Sequence, residues 1–332
     1  EGDLWGGYGG PQASNGNDFW FAENPPFGAV FTYTLRDGLA TLSQTRRKAE
    51  REIEKEGGDT PYPSWETLRT EDREDEPAIV FTITDASGKV VRRMTGPHKK
   101  GLHRVAWDLR FQAPDPVNLN PPAPSIFGGA PKGPLVLPGE YTVQMGKRIN
   151  GIVTQLGSPQ TFTVKPLEHS DEIASDRAAV LAFQEETAEV SRVVGAAGVA
   201  GAELMNRVNH LKVAIETLSE PNEAQRASIQ AIETMLDDVR EALYGQNPIA
   251  RRNEPVPFSI AQRVGQIRGW GWNHQSAVTG SDKEALAIAK TELAAALTQM
   301  RDIELRVEAL ERELAGQGAP YTPGSGVPTW PR

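Results

Sequence analysis

The chain has no cysteine, which removes disulfides, thiolate nucleophiles and thiolate metal sites together. It has no apolar run of about 18 residues, so nothing in it reads as a membrane-spanning helix. Positive charge is short: 35 Lys and Arg stand against 44 Asp and Glu, a formal net charge of −9. Such a field repels phosphate backbones, and the basic clusters Arg46-Arg47-Lys48 and His98-Lys99-Lys100 carry no interleaved aromatics, so nucleic acid is not an expected partner. Catalytic signatures are missing too. No Gly-x-Ser-x-Gly elbow, phosphate-cradling Gly-x4-Gly-Lys-[Ser/Thr] loop, His-Glu-x-x-His helix or Ser-x-x-Lys pair occurs. No cofactor is expected.

What is present is patterned as scaffold. With 332 residues and 38% hydrophobic content, the chain is long enough for two domains with separate cores. Residues 1–27 are rich in Gly, Asn and aromatics and read as an irregular connector pinned by Trp5, Tyr8, Phe19, Trp20 and Phe21. From 28 to 168 strands dominate. Ile79, Phe81 and Ile83 alternate with Val80, Thr82 and Thr84, the period of a strand with one apolar face. Asp85-Ala86-Ser87-Gly88 closes a hairpin onto the run from Lys89 to Thr95, Gly96-Pro97 ends that run, and Gly101 opens a third. With Ala29 to Leu35, Glu140 to Arg148, Ile152 to Leu156 and Gln160 to Lys165, about seven antiparallel strands predict an immunoglobulin-like β-sandwich. A helical insertion near 40–76 contains a charged helix from Thr41 to Glu56, with Arg46 one turn from Glu50 and Lys48 one turn from Glu52. The acidic run Glu71 to Glu76 reads as a solvated linker. A Pro/Gly-rich loop near 111–138 is too rich in Pro for a central strand.

Beyond Pro166 the period changes to three and four. Val180, Phe183, Thr187, Val190, Val194, Ala197, Gly201, Leu204, Val208, Leu211, Ile215 and Leu218 predict one helix of about 60 Å. Gly195, Gly198 and Gly201 make its middle either weak or closely packed. A second helix follows Pro221 with Asn222 and Gln225 as a capping box, and a third covers Ser259 to Gly269. A fourth starts at Ser281 with Glu284 as its capping partner. Together, 169–316 predicts a three- to four-helix antiparallel bundle, coiled-coil-like in its seams, followed by an extended tail (317–332) held by Tyr321 and Trp330. The fold class is thus α+β with two domains. Long apolar seams need burial in cis, against a protein partner or by self-association.

Candidate sites are few. Trp270-Gly271-Trp272-Asn273-His274 is the densest polar and aromatic cluster of the helical half. Trp270, Trp272, Trp5, Tyr8 and Trp20 can either stack on sugar rings or anchor loops to the core. His98 and His103 can meet across a hairpin as metal ligands or be ordinary surface histidines. Asn15, Asn17 and Asp18 can offer oxygens to calcium or make a turn. No metal site is expected.

Two resemblances bear on the context. Gly88 to Arg93 (G-K-V-V-R-R), Gly101 to Arg110 (G-L-H-R-V-A-W-D-L-R) and Pro138 to Val143 (P-G-E-Y-T-V) resemble the immunoglobulin-like modules of flagellar hook-capping proteins and of secreted bacterial C-terminal regions. Asn24 to Tyr33, Pro63-Ser64-Trp65, Glu76 to Val80 and Thr322-Pro323-Gly324 resemble the region that follows the β-propeller in large secreted bacterial proteins with sortilin-like or sialidase-type Asp-box repeats. The propeller's own Ser-x-Asp-x-Gly-x-Thr-Trp pattern is absent here, so no ligand or catalytic residue carries over. The resemblance implies a non-catalytic accessory region, secreted or periplasmic, that packs on a preceding propeller of the same polypeptide and mediates protein–protein interaction. A carbohydrate-binding module of a glycoside hydrolase-like protein is the alternative. The first residue, Glu1, is not a start methionine, which fits a processed chain or a piece of a longer one.

Overall fold

A computed structural model describes residues 26–120, 131–166, 176–219, 222–272 and 276–328. The protein is α+β, with seven helices and two antiparallel sheets among the described residues. It divides into two compact units, 1–112 with 135–167 and 113–134 with 168–332.

The first unit holds β1 (Ala29–Leu35), α1 (Leu42–Lys55), α2 (Trp65–Asp72), β2 (Ala78–Asp85), β3 (Val90–Gly96), β4 (Gly101–Trp107), β5 (Gly139–Ile149) and β6 (Ile152–Val164). One sheet has the order β3-β2-β5-β6 and the other is the pair β1-β4. The β2–β3 hairpin turns where the sequence predicts. The Asp85 carboxylate accepts from Ser87 N (2.9 Å), Ser87 Oγ (2.6 Å) and Lys89 N (3.0 Å), and these bonds hold its pKa below the usual aspartate range. The third run does not extend this sheet. Gly96 and Pro97 end the ladder, the Pro97 carbonyl accepts from the Tyr33 hydroxyl on β1 (2.6 Å), and β4 pairs with β1 from Ala29↔Trp107 to Leu35↔Gly101.

Six strands stand among the described residues where about seven were expected, because 152–156 and 160–165 belong to one strand. The register jumps between Val143↔Gln160 and Met145↔Leu156. The Gln144 amide spans that irregularity, donating to Met145 O (2.7 Å) and Leu156 O (3.3 Å). A bulge accommodates Pro159, which has no N–H to give the ladder.

Both sheets contribute to one core. Ile79 and Ile83 are fully buried and Phe81 nearly so, as the alternation of β2 predicts; each such side chain contributes about 1.5–3 kcal/mol. Trp107, also fully buried, meets Tyr141 at 5.5 Å and Phe162 at 6.1 Å between ring centroids. The Tyr141 hydroxyl reaches back to Leu137 O (2.7 Å), fixing the corner from which β5 departs. Beyond β4 the chain bends through Leu109 in the left-handed region (φ 56°), and Trp107 Nε1 donates to Arg110 O (3.0 Å).

The second unit holds α3 (Arg177–Glu216), α4 (Glu223–Tyr244), α5 (Asn247–Ala250), α6 (Ile260–Gly271) and α7 (Gly280–Gly316). Helices α3 and α4 oppose one another: Lys212 pairs with Glu233 and Glu216 with Arg226. By contrast, α3 and α7 run parallel. Glu186 pairs with Lys290 and Arg207 with Glu311, both at a sequence offset of 104. The short helices α4 and α6 follow one another along this parallel pair, so Val208, Leu211, Ile232, Val239, Ile260, Ile303 and Val307 share one core.

The caps differ from the sequence expectation. Asn222 caps α4 through Ala224 N, while Gln225 turns inward, 2% exposed, and donates to Glu313 (2.7 Å) and Gln317 (2.9 Å) on α7. Thr279 and Asp282 form the capping box of α7, two residues before the expected pair, because Thr279 takes the extended backbone a cap needs. Gly195 and Gly198 mark close packing in α3 rather than a break, whereas a Cβ on Gly201 would meet only Met300 Cε at an ordinary 3.9 Å. A Cβ on Gly198 would lie 1.8 Å from the Tyr244 hydroxyl, and one on Gly195 would lie 2.8 Å from Pro116.

Candidate functional site

The described part of the Trp270–His274 cluster serves the interior of the helical unit. Trp272 is 4% exposed, with the Arg268 guanidinium 4.7 Å from its ring centre. Arg268 in turn donates to Ser191 Oγ (2.7 Å) and forms a forked ion pair with Asp115 (3.3 and 3.0 Å). Gln184, nine-tenths buried on α3, donates to Gly271 O (2.6 Å). These contacts explain why Asp115 and Pro116, which stand between β4 and β5 in sequence, belong to the helical unit. They leave no face of Trp272 for a sugar ring. Trp270 lies on α6 with its side chain outside the described residues, as do Asn273 and His274 entirely. Trp5, Tyr8, Trp20 and the oxygen cluster Asn15, Asn17 and Asp18 also lie outside them.

His98 and His103 are not on the two arms of a hairpin, since β4 pairs with β1, and each has its own partner. His103 Nε2 contacts Lys99 O (2.6 Å), and His98 stands 3.9 Å from Glu76. Among the described residues no three His, Asp or Glu side chains gather as a metal site.

Sequence reasoning passed over the surface that the fold makes most conspicuous. In the insertion between β1 and β2, α1 and α2 bury no residue. They are nevertheless held together. Arg46 grips Glu71 with two bonds (2.7 and 2.8 Å) and Glu50 with a third (2.6 Å). These hydrogen bonds raise the Arg46 pKa and hold the Glu71 carboxyl below the usual glutamate range. Glu74 accepts from the Leu42 amide. The acidic run is therefore partly structural, since Glu71 and Glu74 are used to fasten the insertion. Thr41 with Gln44 caps α1, and Ser64 caps α2.

This fastened element turns apolar groups outward. Leu42 and Ile53 are exposed on α1, and Tyr62 and Trp65 are 78% and 71% exposed at the start of α2. The two rings meet edge-to-face at 6.4 Å and 66°, making a notch rather than a flat platform. The only signal in the sequence was Pro61-Tyr62-Pro63-Ser64-Trp65 itself, two large aromatics in a turn between charged helices.

A second concave surface lies on the helical unit. A groove of about 300 Å3 between α3 and α7 is floored by Ala196, Ala200, Leu204 and Met300 and edged by Glu203 and Arg301. Farther along the same helices the tail from Ala319 to Pro328 covers part of the surface and borders a cavity of about 270 Å3. Ala319 and Thr322 are the buried anchors of this tail, whereas Tyr321 is 62% exposed with its hydroxyl on Gly326 O (3.2 Å); Trp330 lies outside the described residues.

No protein-family model, curated protein or solved structure matches this chain.

Proposed function

We propose that the chain is a non-catalytic accessory region of a secreted bacterial β-propeller protein, composed of an immunoglobulin-like sandwich and a helical bundle, whose work is protein–protein interaction. The observation that carries the reading is the α1–α2 insertion. Its two helices bury none of their own residues, it is stapled by Arg46, and it presents Leu42, Ile53, Tyr62 and Trp65 to solvent. Natural surfaces spend rigidity on exposed aromatics where a partner binds.

The fold supports the finer description. Two antiparallel sheets face one core, a fully buried Trp107 lies on Tyr141, and the Tyr141 hydroxyl bonds the backbone four residues upstream, a corner typical of immunoglobulin-like sandwiches. In the helical unit one apolar core is shared by α3, α4, α6 and α7, as in a bundle. Most of the groups with displaced pKa values support a structural role; Tyr33, Arg110 and Tyr141 are displaced chiefly by burial. Arg46, Glu71, Glu189, Arg207 and Glu216 are each displaced chiefly by a hydrogen-bonded ion pair, and Asp85 by its turn. These are the marks of scaffold fastening.

Top-down mass spectrometry of the native polypeptide containing this chain tests the context. Several upstream segments of the form Ser-x-Asp-x-Gly-x-Thr-Trp are expected. A native polypeptide without them overturns the propeller assignment.

A further inference from the structure

We infer that the Tyr62–Trp65 notch docks a cationic, extended segment of a partner protein, with an arginine or lysine side chain laid against the two rings. The inference rests on the interaction role proposed above and specifies its partner. Three observations select this occupant.

The first is the shape of the site. Rings whose planes stand at 66° with centroids 6.4 Å apart form an angled notch. A pyranose needs a flat face to stack on, whereas a narrow aliphatic stem ending in a cation fits a notch and gains from the negative ring face. The second is charge. From Asp59 to Glu76 the segment carries seven carboxylates and two arginines. Glu71 and Glu74 are engaged by Arg46 and the Leu42 amide, while Asp59, Glu66, Asp72 and Asp75 are exposed. Exposed carboxylates on the segment that carries the two aromatics favour cations and repel anionic partners. The third is rigidity. Trp65 is the first residue of a helix capped by Ser64 and clamped through Glu71, so the backbone that carries its ring needs little ordering at binding.

The test uses the full chain and a fluorescein-labelled octa-arginine peptide, read by anisotropy at low and physiological salt, with octa-glutamate as control. Wild-type protein is expected to bind the arginine peptide and not the glutamate peptide. Tyr62→Ala/Trp65→Ala should weaken binding about tenfold with unchanged circular dichroism, since both side chains are exposed. Tyr62→Phe/Trp65→Phe should stay within about threefold of wild type, because the ring faces remain. Glu66→Gln/Asp72→Asn should weaken binding and flatten its salt dependence. Binding by the alanine pair within about twofold of wild type would mean that net charge alone holds the peptide, and overturns the inference. Binding of cellohexaose that disappears in the alanine pair would also overturn it, in favour of a sugar site. Either failure leaves the accessory-region reading standing, because that reading is decided by the upstream sequence.

Discussion

Replacing Glu311 by alanine isolates the ion pair that joins the parallel helices α3 and α7. The Arg207 and Glu311 side chains are 12% and 6% exposed and are joined by two bonds of 2.9 and 2.7 Å. The Glu311 bonds raise the Arg207 pKa, and although alanine removes them, a guanidinium is too basic to lose its proton in a protein and stays charged. Alanine therefore leaves a largely buried cation uncompensated, which costs about 3 kcal/mol. In a unit of this size that corresponds to a fall in melting temperature of roughly 6–12 °C. The double variant Arg207→Met/Glu311→Leu removes both charges while keeping volume, and should lie within about 1 kcal/mol of wild type. Urea unfolding followed by far-UV circular dichroism reports both values, since the helices dominate the signal. A loss below about 1 kcal/mol in Glu311→Ala would show that water reaches the guanidinium. A double variant as damaged as the single would show that shape, not charge, is at stake. Either result refutes the reasoning.

Other perturbations probe separate parts of the fold. Ile83→Ala empties a fully buried site between the two sheets and should cost about 2–5 kcal/mol in denaturant unfolding of the β-unit. Gly28→Ala places a Cβ 1.9 Å from Trp107 O at φ 105°, so β1 must shift; hydrogen exchange should rise along the β1–β4 ladder, and unchanged exchange would contradict the geometry. Thr279→Ala removes the half of the α7 capping box in which the Thr279 hydroxyl accepts from Asp282 N, leaving the bond from the residue-279 amide to Asp282, and should cost about 1 kcal/mol. The depressed Glu71 pKa gives a pH test: its folded value lies below its unfolded one, so its stabilisation is present at neutral pH and lost as pH falls through the folded value. Glu71→Gln should remove that part of the acid limb of the stability curve, and an acid limb identical to wild type would count against the clamp.

What the sequence disclosed and what it concealed follow a physical division. Periodicity exposed the apolar faces of β2, α3, α4 and α7, since burial imposes a repeat that any neighbour must obey. The Asp85 turn was equally legible, its chemistry being complete within five residues. Pairing was not: that β4 leaves β3 for β1 depends on Tyr33 meeting Pro97, 64 residues away. The parallel course of α3 and α7 is set by side chains 104 apart. Gln225 looked like a local cap because Asn222 precedes it, and a distant pair of acceptors on α7 outcompetes the cap. Trp272 drew notice for its neighbours in sequence, yet Arg268 and Asp115 decide its environment. Trp65 entered only as part of a resemblance and neither it nor Tyr62 read as a surface site, because the exposure of two rings in a turn is decided by the fold around them.

The segment carrying Asp115 and Pro116 leaves the sheet region at 112, lends its carboxylate to Arg268 among the helices, and is followed by β5 from 139. The helical unit is therefore discontinuous in the gene. A recombination event that exchanged everything after residue 167 would import helices without the anion that seats Arg268 over Trp272, and would strand that anion beside a foreign surface. The two units are bound to travel together through evolution, and during synthesis residues 113–120 must leave the ribosome long before the helix that gives them a place.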